Sequence, residues 1–426
     1  MSPGPSRKAV LFIESNTSGT GRLFVRTARS LGYWPVLITA NPGKYAYLAE
    51  TDAPEVIEVA RVDEESLYAL VQRRFRNGTC LAGITSSSEY FIATAAALAA
   101  RFGLPGPDAG AVNAARDKSW QRRALAAGGV AVPAFRVVRT AFDAVLAADD
   151  IGYPVVVKPV GASGSMGVRA CASAAEVEEH AAGLFASAPA GEAPRALVEA
   201  MVTGAEFSVE VFSGRVIGIT RKHLGEPPFF VEAGHDYPAA VPADVARALA
   251  ETVTRGTEIL GLGWGPLHWE LRMQGDTAVP IEVNPRLAGG FIPELVRHAE
   301  GIDLIRETLH LVVGLPVDLD ARRRRHASIR FLFSPGAGRL EYVQGMAEAL
   351  AGEGVAEVTM YRRPGDELAV HGDFRDRIGH VVACADAFDA ACTAADRARG
   401  TVRVVMDPAA CAEESQDVED GVLQPA

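Results

Sequence analysis

Short apolar runs alternating with amphipathic stretches set the pattern of the first hundred residues. Lys8–Ile13, Trp34–Thr39 and Cys80–Thr85 are strand-length runs, while Arg22–Leu31 and an alanine-rich stretch ending near Arg101 have helical spacing. That alternation predicts an open α/β sheet. After Leu104-Pro105-Gly106-Pro107 the pattern changes. Asn113–Ala127 reads as one basic amphipathic helix, Val155–Val157 as a buried strand, and Ala186–Pro194 as a surface linker. Ala196–Phe212 reads as strand, short connection, strand. Thr220–Ala239, where polar groups punctuate aromatics and prolines, reads as a loop. A helix over Pro242–Leu262 tolerates proline in its first turn. His268–Gly290 is two extended segments joined by a turn at Gln274-Gly275-Asp276. Beyond Gly301 a helix reaches Val313, Pro316 opens a connector, and a last α/β piece has strands at His326–Phe333, Ala356–Tyr361, His380–Cys384 and Val402–Met406.

Side chains alternate along a strand, so Glu282, Asn284 and Arg286 share one face while Ile281 and Val283 point into a core. With Glu270 on the facing segment, they form a hard-oxygen set suited to Mg²⁺, an ion that keeps waters and shares itself with phosphates. Arg286 is placed to meet a phosphoryl or acyl-phosphate oxygen. A second informative stretch is Tyr153–Val168. Lys158 ends its strand, and Gly161, Gly164 and Gly167 among small hydroxyls let backbone N–H groups approach an anion. Its spacing fits neither a P-loop nor a nucleophile elbow. Gly19-x-Gly21 lacks the third glycine of a dinucleotide fingerprint, with Phe24 in its place. No acid follows the second strand, so this is a turn at a helix start.

Three further groups carry weaker signals. Glu199 and Glu206 bracket Met201 and Val202, a connection that can give a purine backbone groups and apolar cover, although glutamates in such a segment also read as a solvated face. Lys222, Glu232, His235 and Tyr237 lie among Phe229 and Phe230, as in a small-molecule pocket. A lone histidine is more often structural. Arg330 interrupts an apolar strand and is expected to reach toward phosphates; Lys118, on its basic helix, also reads as a solvated charge.

At 426 residues, two to four domains are expected. A net charge of −11 argues against nucleic acid or anionic membrane as a partner, so Arg322–Arg325 reads as a solvated loop. Five scattered cysteines without CxxC suggest a reducing compartment. The N-terminal apolar run is short for a signal peptide, and no run approaches the roughly eighteen residues of a membrane span, so a cytoplasmic protein is expected. Asp407–Ala426 reads as a disordered acidic tail.

Lys118, the Lys158 glycine segment, Glu199 to Glu206, and the Glu270/Glu282/Asn284/Arg286 set occur in one order that resembles the ATP-grasp superfamily as far as about residue 312. The resemblance implies an ATP-grasp fold, α/β and α+β, with a Rossmann-like pre-ATP-grasp domain (1–112), subdomain A (113–195), subdomain B (196–315), a C-terminal α/β extension (316–407) and the tail (408–426). It implies that Lys118, Lys158 and Lys222 serve ATP, with Ser163, Gly164, Ser165, Met166 and Gly167 as the covering loop. Glu199, Met201 and Val202 would hold adenine and Glu206 the ribose. Glu270, Glu282 and Asn284 would bind two Mg²⁺ ions, with Mn²⁺ able to substitute, and Arg286 would stabilise the acyl phosphate. Phe230-Val231-Glu232-Ala233-Gly234-His235, Pro238 and the extension look most like the L-amino-acid ligases. This similarity places Glu232 and His235 beside the amino-acid substrate and Gly289 and Gly290 on the acceptor side. The implied reaction joins a carboxylate to an amine at the expense of ATP, in a homodimer. Another ATP-grasp ligase using ammonia, hydrazine or hydroxylamine, or a nucleotide-sensing binding protein, are the competing readings.

Overall fold

The structure is a computed structural model that describes residues 8–17, 20–75, 80–187, 194–225 and 228–407. The expected tail beyond Asp407 and most of the expected linker at 186–194 lie outside the described residues.

The first unit alternates β1 (Ala9–Ile13), α1 (Thr20–Ser30), β2 (Trp34–Thr39), β3 (Glu55–Glu58), α2 (Glu64–Arg74), β4 (Leu81–Thr85) and α3 (Ile92–Arg101). Its strands pair in parallel in the order β3-β2-β1-β4. A parallel strand covered on both faces must be apolar throughout, and all five residues of β1 are buried. Leu67, Val71 and Leu98 of α2 and α3 cover one face, while Phe24 and Val25 of α1 pack with Val10 and Phe12 on the other. Gly21 needs its bare Cα: a Cβ there would lie 2.0 Å from the Asn16 carbonyl oxygen, so this glycine serves the turn into α1.

The basic helix expected over Asn113–Ala127 is two helices, α4 (Ala109–Ala115) and α5 (Lys118–Ala127). Asp117 causes the break. Its carboxylate accepts from the Ser119 and Trp120 amides at 2.8 and 3.0 Å, capping a new helix start. Lys118 thereby lands in a first turn and is buried, not solvated.

The smaller lobe comprises β5 (Phe135–Val138), α6 (Ala141–Ile151), β6 (Val155–Pro159), β7 (Arg169–Cys171), α7 (Ala174–Ala186) and β8 (Ala196–Ala200). Its sheet runs β5-β8-β6-β7, so β8 sits with the strands before residue 195. The larger lobe opens with β9 (Glu206–Phe212), β10 (Arg215–Leu224) and β11 (Glu232–Tyr237). It continues through α8 (Ala243–Leu260), β12 (Pro266–Gln274), β13 (Thr277–Asn284), α9 (Ile292–Glu300) and α10 (Leu304–Val312). Trp269, fully buried, anchors the face that α8 covers through Leu249 and Val253.

Two stretches of the segment Thr220–Ala239 expected as loop are strand: β10 runs to Leu224 and β11 over Glu232–Tyr237, pairing antiparallel with Lys222 opposite His235. Its polar residues misled because their partners come from distant strands. Once each is paired, the extended backbone is free to join the sheet.

The remaining elements are β14 (His326–Phe333), β15 (Gly338–Gln344), α11 (Met346–Leu350), β16 (Val355–Met360), β17 (Glu367–Leu368), β18 (Arg377–Ala385), α12 (Phe388–Thr401) and β19 (Arg403–Asp407). One eight-stranded sheet runs β13-β12-β9-β10-β11-β14-β18-β16, and β17-β15-β19 form a separate three-stranded sheet. The C-terminal extension therefore continues the sheet of the larger lobe through β11 and β14.

Candidate active site

The β12–β13 hairpin turns at Gly275, whose φ is +59°, and sets Glu270 opposite Glu282 and His268 opposite Asn284. Cross-strand partners share a face, so four polar side chains line one side of the hairpin. Glu282 Oε1 lies 3.0 Å from Lys118 Nζ, which also donates to the Ala162 carbonyl at 2.5 Å. Glu270 Oε1 accepts from Lys222 Nζ at 2.7 Å and from His268 Nε2 at 3.1 Å. Burial works against the charge on Glu270, but Lys222 and His268 overcome it and hold the carboxyl well below its usual range. His268 Nδ1 meets Glu210 Oε1 at 2.9 Å. Although burial opposes the imidazolium, Glu210 and Glu270 push its pKa up to about 9.

Glu270, Glu282 and Asn284 offer hard oxygens from adjacent register positions, beside a cavity of about 10 Å³ that Glu89, Lys118, Glu282 and Asn284 help line. Among the described residues no three His, Cys, Asp or Glu side chains close around an ion by themselves. That donor chemistry fits Mg²⁺, whose shell is completed by water and phosphate oxygens.

Lys222 is a hub. Its buried ammonium contacts Glu206 Oε1 at 3.0 Å, Glu232 Oε1 at 2.8 Å and Glu270 Oε1 at 2.7 Å. Burial opposes its charge, yet Glu232 and its neighbours raise its pKa well above that of a free lysine. Arg272 balances Glu206 at 2.9 Å, and Arg377 bonds the second oxygen of Glu232. His235 is wholly buried, with Nδ1 3.1 Å from the Gly290 carbonyl. A carbonyl only accepts, so Nδ1 carries the proton. Burial lowers the pKa of the ring, leaving Nε2 a bare lone pair. Nε2 has no hydrogen-bond partner, and the atom facing it at 3.6 Å is Glu232 Oε2, another acceptor. Gly290, at φ +58°, is required here: a Cβ would lie 2.4 Å from His235 Cε1. Gly289 faces open space.

Arg286 carries the partner the sequence did not suggest. Its Nε and Nη2 reach Glu89 Oε2 at 2.8 and 2.6 Å, and Nη1 donates to the Leu287 carbonyl. Burial works against the ionised Glu89, but Arg286 and Lys118 hold its pKa down. Glu89 lies 197 positions from Arg286. The signal that could have found it is its place just past the carboxyl end of β4, where open α/β sheets present ligand-binding groups.

Glu199 is likewise committed to protein partners. Lys158 Nζ and Arg122 Nε hold its two oxygens at 2.5 and 2.7 Å, and burial notwithstanding, Arg122 and Lys158 bring its pKa to about 2. Burial lowers the pKa of Lys158. Arg122, which sequence reading missed, also donates to the Ile281 carbonyl, tying the small lobe to the hairpin. In the β8–β9 connection, Met201 N donates to the Pro154 carbonyl and the Val202 carbonyl accepts from Arg272. The glycine loop turns through positive φ at Gly164, Ser165 and Gly167, with the Met166 amide donating to the Ser163 carbonyl. Ser163 Oγ lies 3.3 Å from Tyr90 Oη, and Ser165 Oγ donates to the Phe230 carbonyl. Arg330 does not reach toward phosphates: it pairs with Asp236 at 2.7 Å and Asp396 at 2.6 Å, because β14 lies beside β11. Tyr237 is core, not pocket.

Residues 151–294 match the ATP-grasp domain family, and residues 330–407 match the L-amino acid ligase C-terminal domain 2. The uncharacterized protein y4rH of Sinorhizobium fredii is 40% identical over 94% of this chain and 84% of its own length. The chain belongs to the ATP-grasp family. Carnosine synthase 1 of Gallus gallus is 29% identical over 74% of this chain, which spans 36% of that larger protein. The crystal structure of an L-amino acid ligase from Bacillus licheniformis superposes with a TM-score of 0.79 at 21% identity, covering 95% of this chain and all of that one. This ATP-grasp protein is an ADP-forming ligase of carbon–nitrogen bonds, in a family that uses ATP and Mg²⁺. No helix among its described residues is long and apolar enough to cross a membrane.

Proposed function

We propose that this ligase activates the carboxylate of an amino acid as an acyl phosphate and condenses it with an amine, yielding a dipeptide or amide, ADP and phosphate. The observation that carries this reading is the Lys222 hub. One ammonium ties Glu232, which faces His235 Nε2, to Glu270 of the hard-oxygen hairpin, so an amine-binding pair sits one side chain from the phosphate chemistry.

Each partner then has a task. Lys118, Lys158 and Lys222, with the Ser163–Gly167 loop, hold and cover the phosphates. Glu199 keeps Lys158 aimed, the Met201–Val202 connection borders the adenine, and Glu206 meets the ribose. Glu270, Glu282 and Asn284 would hold Mg²⁺, as two ions that Mn²⁺ could replace, and bound there the metal would supply positive charge against the phosphoryl oxygens. Arg286 exchanges Glu89 for the acyl phosphate and for the oxyanion formed when the amine adds to the acyl carbon. Glu232 and His235 orient the amino group, and His235 Nε2, with its free lone pair, accepts the proton the amine loses as phosphate departs. The Gly289–Gly290 bend leaves room for the acceptor. Thiols at Cys171, Cys384 and Cys392 without disulfides support a cytoplasmic setting, and a homodimer is the assembly we expect.

The test is ADP and phosphate release from Mg-ATP across amino acids offered singly and in pairs, with mass spectrometry of the products. Release that requires two amino acids and gives a dipeptide mass supports the reading. AMP and pyrophosphate would replace the acyl phosphate with an adenylate and overturn it.

A further inference from the structure

Arg377 opens β18 in the C-terminal extension, yet its side chain belongs to the amine side of the cleft. Nη2 bonds Glu232 Oε2, and Nε donates to the Glu232 backbone carbonyl at 3.2 Å. The guanidinium carbon lies 4.1 Å above the Phe331 ring, and that ring meets His235 edge-on at 5.6 Å between centroids. One arginine therefore grips Glu232 at both ends and shares an aromatic wall with His235. The segment leading to it also touches the loops around the cleft. Gly372 packs under Phe229, and a Cβ on Gly164 of the glycine loop would lie 2.7 Å from Phe374.

Lys222 holds only Oε1 of Glu232. A carboxylate gripped at one oxygen by a point charge is free to rotate about its broad terminal torsion. Oε2 faces the His235 lone pair, which gives it no hydrogen bond. The Arg377 fork closes that degree of freedom: two N–H groups in a fixed plane anchor Oε2 and the backbone oxygen together.

We infer that Arg377 is a positioning residue: through it the C-terminal extension holds Glu232 turned toward His235 so that the pair selects substrates bearing an ammonium or amino group. This rests on the ligase reading above, and it gives the extension a share in choosing the substrate.

The experiment uses the full chain and the amino acid that best supports ADP release, beside its des-amino analogue, with turnover and calorimetric binding as two readouts. For Arg377→Ala the expected result is a KM for the amino acid raised about 30-fold or more, with the KM for ATP within about twofold. Calorimetry is expected to show its preference for the amino acid over the des-amino analogue collapsing. Arg377→Lys keeps the charge but not the fork, and should recover only part of the loss. If the alanine variant does not fold, the lysine variant decides, with a rise of about fivefold or more expected. A folded variant that keeps the wild-type KM and amine preference overturns the role of Arg377 alone. A wild-type chain that shows no amine preference in either readout overturns the ligase reading itself.

Discussion

At the scale of single residues, most charges around the cleft already face a counter-charge: Lys118 with Glu282, Arg286 with Glu89, Lys222 with three glutamates. Substrate phosphates and Mg²⁺ would exchange these partners rather than meet naked charge, which avoids burying unpaired ions. Glu282→Ala is expected to lower ADP release by about 100-fold or more, since it removes a metal oxygen and frees Lys118. An unchanged melting profile with normal turnover would remove Glu282 from the site. Glu199 makes a prediction about acid stability. Its carboxyl drops from 4.5 to about 2 on folding, so its contribution is fully present above about pH 4.5 and is lost as the pH falls toward 2. Glu199→Gln should destabilise the protein by about 3 kcal/mol at neutral pH by stranding Lys158 and Arg122, with a smaller gap from wild type near pH 3. Chemical denaturation at the two pH values measures both.

At the scale of elements, the junction of the two lobes is the β8–β9 connection. Gly204 in it has φ +101°, and a Cβ there would lie 2.1 Å from the Met273 carbonyl oxygen on β12. Gly204→Ala combines positive-φ strain with a clash against backbone that cannot swing aside. It should cost about 2 kcal/mol or more, read as a lowered denaturation midpoint. The hairpin was legible because its two strands are local and alternate, with a glycine at the turn. The β10–β11 pair was not, because its polar residues are satisfied from β9, β12 and β14. The same holds for α5: an N-cap aspartate in mid-pattern outranked the continuous periodicity.

At the scale of the whole molecule, the eight-stranded sheet joins regions that the motif order presents as separate. The extension supplies β14 as the neighbour of β11, the strand that carries Glu232 and His235. One apolar cluster unites Phe24 of α1, Leu309 of α10 and Phe331 of β14. A chain ended at residue 325 would bare the β11 edge and strip Ala327, Ile329, Phe331, Val382 and Cys384 from that cluster, and should be recovered as aggregate or unfolded material. A truncated chain that melts cooperatively and holds Mg-ATP would show instead that the extension is dispensable for folding. For the intact chain, Mg-ATP at about a hundred times its Kd should stabilise by about 2.7 kcal/mol, seen as an upward shift in Tm.

What the sequence determined by itself was whatever depends on neighbours along the chain. The alternating strands and helices of the first unit, the hairpin bearing Glu270, Glu282 and Asn284, and the glycine loop after Lys158 are set by period and turn chemistry over a few residues. The tertiary structure alone decided which charges meet. Glu89 with Arg286, Arg122 with Glu199, and Arg377 with Glu232 span 197, 77 and 145 positions. No local pattern marks such pairs, because a buried ion finds its partner through the packing of whole sheets and not through spacing in the chain.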